Sequence, residues 1–304
     1  MNAPPFRWVF LAPQYWPTWL GVGVLRLLCL LPIPALVVIG EGIGWLFGRL
    51  VPSRRHVVRT NLRLCFPQQD EAARERDVDA HFRALGVGIF EACLAWWASD
   101  ERLLRQGEIV GLEHLDRATA DGSGVLLLTG HFTTLELGAR YILVAGRPFH
   151  AMYRPIKNPL MDWLMHRWRS AIATLPAVPR EDLRGLVRAL REGRRVWYGP
   201  DQTLDRREGV FVPFFGVPVL MVTATSRIAQ MGRARVVPYF PERVGSRYRI
   251  TFLPALENFP SGDDQADAAR IIAAIEEGVR RAPTQYFWVH RRFKVRPPGE
   301  PGPY

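Results

Sequence analysis

The sequence predicts an α/β fold with a central mixed sheet flanked by helices, preceded by an N-terminal apolar helical segment that anchors the chain to a membrane. Three observations carry this expectation. Residues 16–50 are the most apolar stretch of the 304-residue chain. Residues 71–97 place apolar side chains at helical spacing. After Gly111, short apolar runs closed by turn residues alternate with helical stretches, as in a sheet layered with helices.

The N-terminal stretch is interrupted by Arg26, Pro32, Pro34 and Glu41, and its uninterrupted apolar run, 27–40, covers 14 residues. That is short of the roughly 20 a spanning helix needs. A kinked span, a hairpin dipping into one leaflet, an interfacial pair of helices and a buried core hairpin all fit the pattern. The flanks favour membrane. Trp16, Trp19 and Trp45 stand near its two ends, as in an aromatic belt, and Arg49, Arg54, Arg55, His56, Arg59 and Arg63 follow it. A basic cluster beside an apolar segment marks the cytoplasmic side and attracts anionic lipid. With no small-residue cleavage site after it, the segment reads as an uncleaved anchor spanning residues 1–50, ahead of a domain spanning 51–304.

In 71–97 the apolar stripe is Phe82, Leu85, Ile89, Phe90, Cys93, Leu94 and Trp97. Beyond Gly111 the expected strands are 125–129, 149–153, 196–198, 236–240 and 248–253. The expected helices are 135–144, 158–172, 182–192 and 264–281. A last apolar run, 286–289, precedes a Pro-rich tail.

Composition narrows function less. Forty Lys and Arg against 29 Asp and Glu give a net charge of +11. Such a surface suits nucleic acid, anionic lipid or an acidic protein. Cys29, Cys65 and Cys93 are far apart, without a CxxC pair or a His at ligand spacing, so buried thiols are expected rather than disulfides or a metal site. No recognisable nucleic-acid motif accompanies the charge, and charge alone explains neither the apolar segment nor the motif below.

The chemistry is concentrated in GVLLLTGHFTTLELGAR. An apolar strand runs into Thr129-Gly130, then His131, then an amphipathic helix bearing Glu136. Gly130 permits a tight turn, and Thr133 or Thr134 is placed to cap the helix. On one continuous helix His131 and Glu136 would be about 140° apart. They meet only if His131 sits in the turn before it. The carboxylate would then fix the imidazole tautomer and stabilise its charged form, as a general base requires.

GHFTTLELG resembles the His-x4-Asp/Glu motif of the lysophospholipid acyltransferase superfamily, and in particular the lipid A biosynthesis lauroyl/myristoyl acyltransferases. The resemblance extends, in order, through APQYWPTWLGVGVLRLLCLLP, NLRLCFPQ, MYRPIKNPLMDW, YGPDQ, VPFFG and APTQYFWVHRRFKVRP, nearly the whole chain. It implies His131 and Glu136 as the catalytic pair. It also implies Arg154 as the holder of a substrate phosphate, a role that suits a permanently charged, bidentate guanidinium. Asp201 stands where the glycerolipid enzymes carry Glu-Gly-Thr and is implied as a substrate-orienting acid. Pro238 is implied to position a strand end. The Phe211, Phe214 and Phe215 cluster reads as core.

The resemblance further implies an acyl carrier protein thioester as donor and a Kdo-bearing lipid A precursor as acceptor, at the inner membrane with the catalytic domain facing the cytoplasm. It implies no metal, no cofactor and no nucleic acid. Acylation of a different membrane glycolipid is the alternative activity, and a basic membrane- or nucleic-acid-binding protein the alternative class.

Overall fold

The computed structural model describes residues 5–153, 156–173, 175–179, 182–202 and 209–304. Arg154 lies outside the described residues. Helices α1 (Trp16–Leu28) and α2 (Ile33–Leu50) are two separate helices divided at Pro32 and Pro34, prolines that stand at the start of α2 instead of kinking one long span. α3 (Pro52–Cys65) carries the basic cluster, and α4 (Glu71–Trp97) keeps the expected bounds. Asp70 caps α4 by accepting from Ala73 N at 2.6 Å. Then follow α5 (Asp100–Leu104), β1 (Gly107–Val110), α6 (Leu112–Thr119), β2 (Val125–Leu128), α7 (Leu135–Val144), β3 (Phe149–His150), β4 (Met152–Tyr153), α8 (Pro159–Ile172), β5 (Val178–Pro179), α9 (Leu183–Arg191) and β6 (Arg195–Tyr198). The hairpin β7 (Val210–Phe214) and β8 (Val217–Met221), α10 (Ala224–Gly232), β9 (Arg235–Val244), β10 (Arg247–Phe252) and α11 (Asp264–Arg281) complete the chain.

The central sheet is mixed, with strand order β1-β10-β9-β2-β6-β3; β9 and β10 pair antiparallel and the other neighbours parallel. β2 lies inside it and is buried at every position. Its alternating side chains feed two cores. Leu126 and Leu128 join Val196, Phe240, Ile272 and Trp288 on one face. Val125 and Leu127 join Phe90, Leu137, Tyr141 and Tyr248 on the other. That double burial explains why β2 reads as a solid apolar run.

Several local expectations are corrected. The run 149–153 is split into β3, in the central sheet, and β4, paired with β5 in a separate ribbon. Pro238 lies inside β9, not at its end. It marks where β9 stops pairing with β2, opposite Leu128, and continues beside β10. Thr134 occupies the position before α7, but its hydroxyl donates to Pro241 O at 3.1 Å rather than capping the helix. VPFFG turns between β7 and β8 with Phe215 at φ 51°, while Phe214 is fully buried against Tyr286 and Trp288. All three cysteines are free and buried.

α2 is long and apolar enough to cross a bilayer by length and composition. Its inward side is a row of small residues, Gly40, Gly44 and Gly48, set against α4. A Cβ on Gly44 would come 2.0 Å from Phe82 O, and one on Gly86 2.0 Å from Gly40 O, so the two backbones are nearly in contact. α1 and α2 expose Leu20, Val24, Leu27, Val38, Trp45 and Leu46.

Candidate active site

β2 and β6 are parallel neighbours in register Leu128↔Tyr198, and Thr129 N donates to Tyr198 O at 3.1 Å. His131 follows Leu128 by three residues, and Asp201 follows Tyr198 by three. Equal offsets from paired strand ends bring the two side chains together across 70 positions of sequence. They meet at the carboxyl edge of the parallel strands, the usual location of ligand sites in such sheets.

Both Asp201 oxygens engage His131. Oδ1 lies 2.5 Å from Nδ1, and Oδ2 accepts from the backbone N–H at 2.8 Å. Asp201 is 2 % exposed and the His131 side chain 26 %. Burial pushes the Asp201 carboxyl up, but the His131 charge, its two hydrogen bonds and the buried Arg292 guanidinium outweigh that and hold it at about 2. Burial likewise disfavours the imidazolium, and the charge and hydrogen bond of Asp201 overcome it, raising His131 above its ordinary range. An ionised carboxylate accepts a hydrogen bond from Nδ1–H and leaves the Nε2 lone pair for a substrate proton. This is the arrangement of a carboxylate-oriented general base.

The surroundings keep the pair rigid. Phe287 N donates to His131 O at 2.9 Å, and Thr133 N donates to Gln285 O at 2.8 Å, so the loop after β2 is tied to the C-terminal segment. That segment is held in turn by Asn61, whose amide donates to Trp288 O at 2.7 Å and His290 O at 2.9 Å. The Tyr286 hydroxyl faces Asp201, and burial, then that charge, pushes it well above its ordinary value. Gly130 is required by space and not by a left-handed backbone. A Cβ there would press on Ile275, Phe132 and Tyr286 at 3.1–3.2 Å.

Glu136 does turn toward the same region from the first turn of α7, but the groups hydrogen-bonded to its carboxylate are not His131. Arg169 of α8 engages both oxygens, and Trp96 Nε1 donates to Oε2 at 3.1 Å. Trp96 is itself stacked on Trp168 with ring centroids 5.0 Å apart. The carboxylate on Nδ1 is therefore that of Asp201. Of the expected site residues, the structure brings His131 and Asp201 together, sets Glu136 in a neighbouring ion pair, and does not describe Arg154. Arg169, Trp96, Tyr286 and Arg292 are site neighbours that sequence reasoning missed. The first two lie 33 and 40 positions from Glu136 in other helices, with nothing in their spacing to connect them. Arg292 lies within a quoted block, VHRRFK, where its burial had no sequence signal. Among the described residues, no group of three or more His, Cys, Asp or Glu is placed to hold a metal ion.

Beside the pair lies a mainly apolar pocket lined by Leu135, Ala139, Leu143, Phe149 and Ile172, with Trp197 as one wall and Glu136 and Arg169 also lining it. Trp197 meets the His131 ring edge-on at 5.9 Å, and its Nε1 donates to the Tyr239 hydroxyl at 2.7 Å.

Comparison with known proteins finds relatives over the whole chain. Residues 3–295 match the family model of the bacterial lipid A biosynthesis acyltransferases. The chain is 40 % identical over 306 residues to the lipid A biosynthesis lauroyltransferase of Escherichia coli (strain K12), covering 100 % of this chain and 99 % of that one. It is 39 % identical over 298 residues to the palmitoleoyltransferase of the same organism, covering 97 % and 96 %. It is 39 % identical over 300 residues to a lipid A biosynthesis acyltransferase of Haemophilus influenzae, covering 97 % and 95 %.

Proposed function

The chain belongs to the bacterial lipid A biosynthesis acyltransferase family and is an acyltransferase, and from that premise we propose that it moves a fatty acyl chain from an acyl carrier protein thioester to a hydroxyl of a Kdo-bearing lipid A precursor. The observation that carries the mechanism is the buried Asp201 carboxylate on His131 Nδ1. Nε2 removes the proton from the acceptor hydroxyl as its oxygen attacks the thioester carbonyl. The tetrahedral adduct collapses, the carbon–sulfur bond breaks, and the proton held by His131 passes to the departing thiolate. Asp201 stays ionised throughout and stabilises the transient imidazolium. Glu136 acts alongside the base in its pair with Arg169, and Arg154 holds a phosphate of the acceptor.

The reaction takes place at the cytoplasmic face of the inner membrane. The exposed apolar residues of α1 and α2 and the basic helix that follows them support that location. The test is a purified assay with acyl carrier protein thioester and Kdo-bearing acceptor. His131→Ala should lower kcat by at least about 10²-fold, the low end for a lost general base. A His131→Ala enzyme that keeps more than half the wild-type rate would remove the base from this mechanism.

A further inference from the structure

We propose that the apolar pocket along α7 is the seat of the transferred acyl chain and that Ala139 and Leu143 set the chain length the enzyme selects; this rests on the acyl-transfer reading above. The pocket is a cleft with a cavity volume of about 120 Å³ that opens to solvent. Its orientation relative to the base is what matters. Leu135 follows His131 by four residues, and Leu135, Ala139 and Leu143 form an i, i+4, i+8 stripe on α7. Eight residues of helix extend about 12 Å. The stripe therefore runs from the start of α7, four residues after His131, toward the helix's far end, with Trp197, which touches the His131 ring, lining the same pocket.

A transferred chain has this geometry. Its carbonyl must lie at the base, and its methylenes must run away from it in one direction, out of water. An acceptor presents a hydroxyl part-way along a chain and needs room on both sides of the reacting oxygen. A second groove reaches the base past other residues. Phe287 and His290 line both the cleft around the base and a groove between α2 and α4 that includes the exposed Ile43, Phe47 and Ile89. That groove shares no lining residue with the α7 pocket, so the acceptor is assigned to it and the transferred chain to the pocket. Ala139, the smallest side chain of the three, leaves the middle of the stripe open, and Leu143 lines the pocket one turn further along.

The experiment offers full-length enzyme an equimolar mixture of saturated acyl carrier protein thioesters from octanoyl to palmitoyl, with one acceptor, and reads the product chains by mass spectrometry. Ala139→Phe should shift the product to shorter chains, by about tenfold in relative kcat/KM for donors longer by two methylenes. Leu143→Ala should shift it to longer ones, and decides the matter if Ala139→Phe is inactive. Unchanged donor profiles in the active variants would overturn the proposal. If wild type uses acyl-coenzyme A and not the carrier protein, the carrier reading fails, but the same two shifts are expected on that donor because the pocket reads the chain.

Discussion

At the scale of single residues, two carboxylates compete for the role of imidazole partner, and their environments separate them. Asp201 is buried on Nδ1, whereas Glu136 is committed to Arg169 and Trp96. A general base must be neutral to accept a proton, so activity should rise with pH through the raised titration of His131. Asp201→Asn removes the charge that raises it. Its acid limb should therefore move to lower pH while the plateau rate falls by 10²-fold or more, to about 10⁴ where the tautomer is also lost. Glu136→Gln should lower the rate with the acid limb in place. Rate–pH profiles of the two variants would assign the partner to Glu136 if only its substitution moved the limb. Arg154 is tested separately. Arg154→Ala should lose at least about tenfold in kcat/KM, since a charged hydrogen bond contributes about 1.5–3 kcal/mol, and Arg154→Lys should recover part. Equal losses on phosphorylated and dephosphorylated acceptor would exclude a phosphate contact.

At the scale of elements, α2 combines an apolar outer side with an inner side of glycines that lets it lie directly on α4. The consequence is sharply positional. Gly44→Ala puts a methyl 2.0 Å from Phe82 O, whereas nothing lies within 4 Å of a Cβ on Gly42. Gly44→Ala should destabilise by about 1–3 kcal/mol, the usual cost of overpacking. Gly42→Ala should be neutral or stabilising by up to about 1 kcal/mol, because Ala loses less backbone entropy than Gly in a helix. Thermal unfolding in detergent reads both. Two variants with the same midpoint would show that the helices are not in close contact.

At the scale of the whole molecule, the N-terminal helices are part of the packed structure as well as an apolar surface. Cys29, Ile33 and Leu36 share a core with Phe90, Leu94 and Tyr141. Deleting residues 1–49 should therefore uncover the face of α4 as well as weaken membrane attachment, and the truncated chain should aggregate or unfold at lower temperature than the full one. The full chain should stay with the membrane through a high-salt wash, which screens the charges of the basic surface, and leave only in detergent. Release by salt alone would reduce the membrane association to electrostatics.

The sequence by itself determined the elements and the motif. Periodicity placed α4, α7 and α11 at their observed bounds, because those helices bury one face over several turns and the pattern repeats. The strand–Gly–His–helix order placed His131 at a strand end, and the family blocks marked Asp201 as a site residue. What only the tertiary structure decided is which groups touch. His131 and Asp201 pair because β2 and β6 are adjacent with Leu128 opposite Tyr198, and that register depends on packing across the whole sheet. Glu136 lies near in sequence and is drawn to Arg169, a residue supplied by another helix. β1 and the β7–β8 hairpin escaped the sequence reading for a related reason: β1 is defined by its pairing with β10, far along the chain, and β7 and β8 lie outside the central sheet and pair only with each other. A charged side chain takes the partner that the fold brings within reach, and strand register, unlike helical periodicity, is a property of two segments at once.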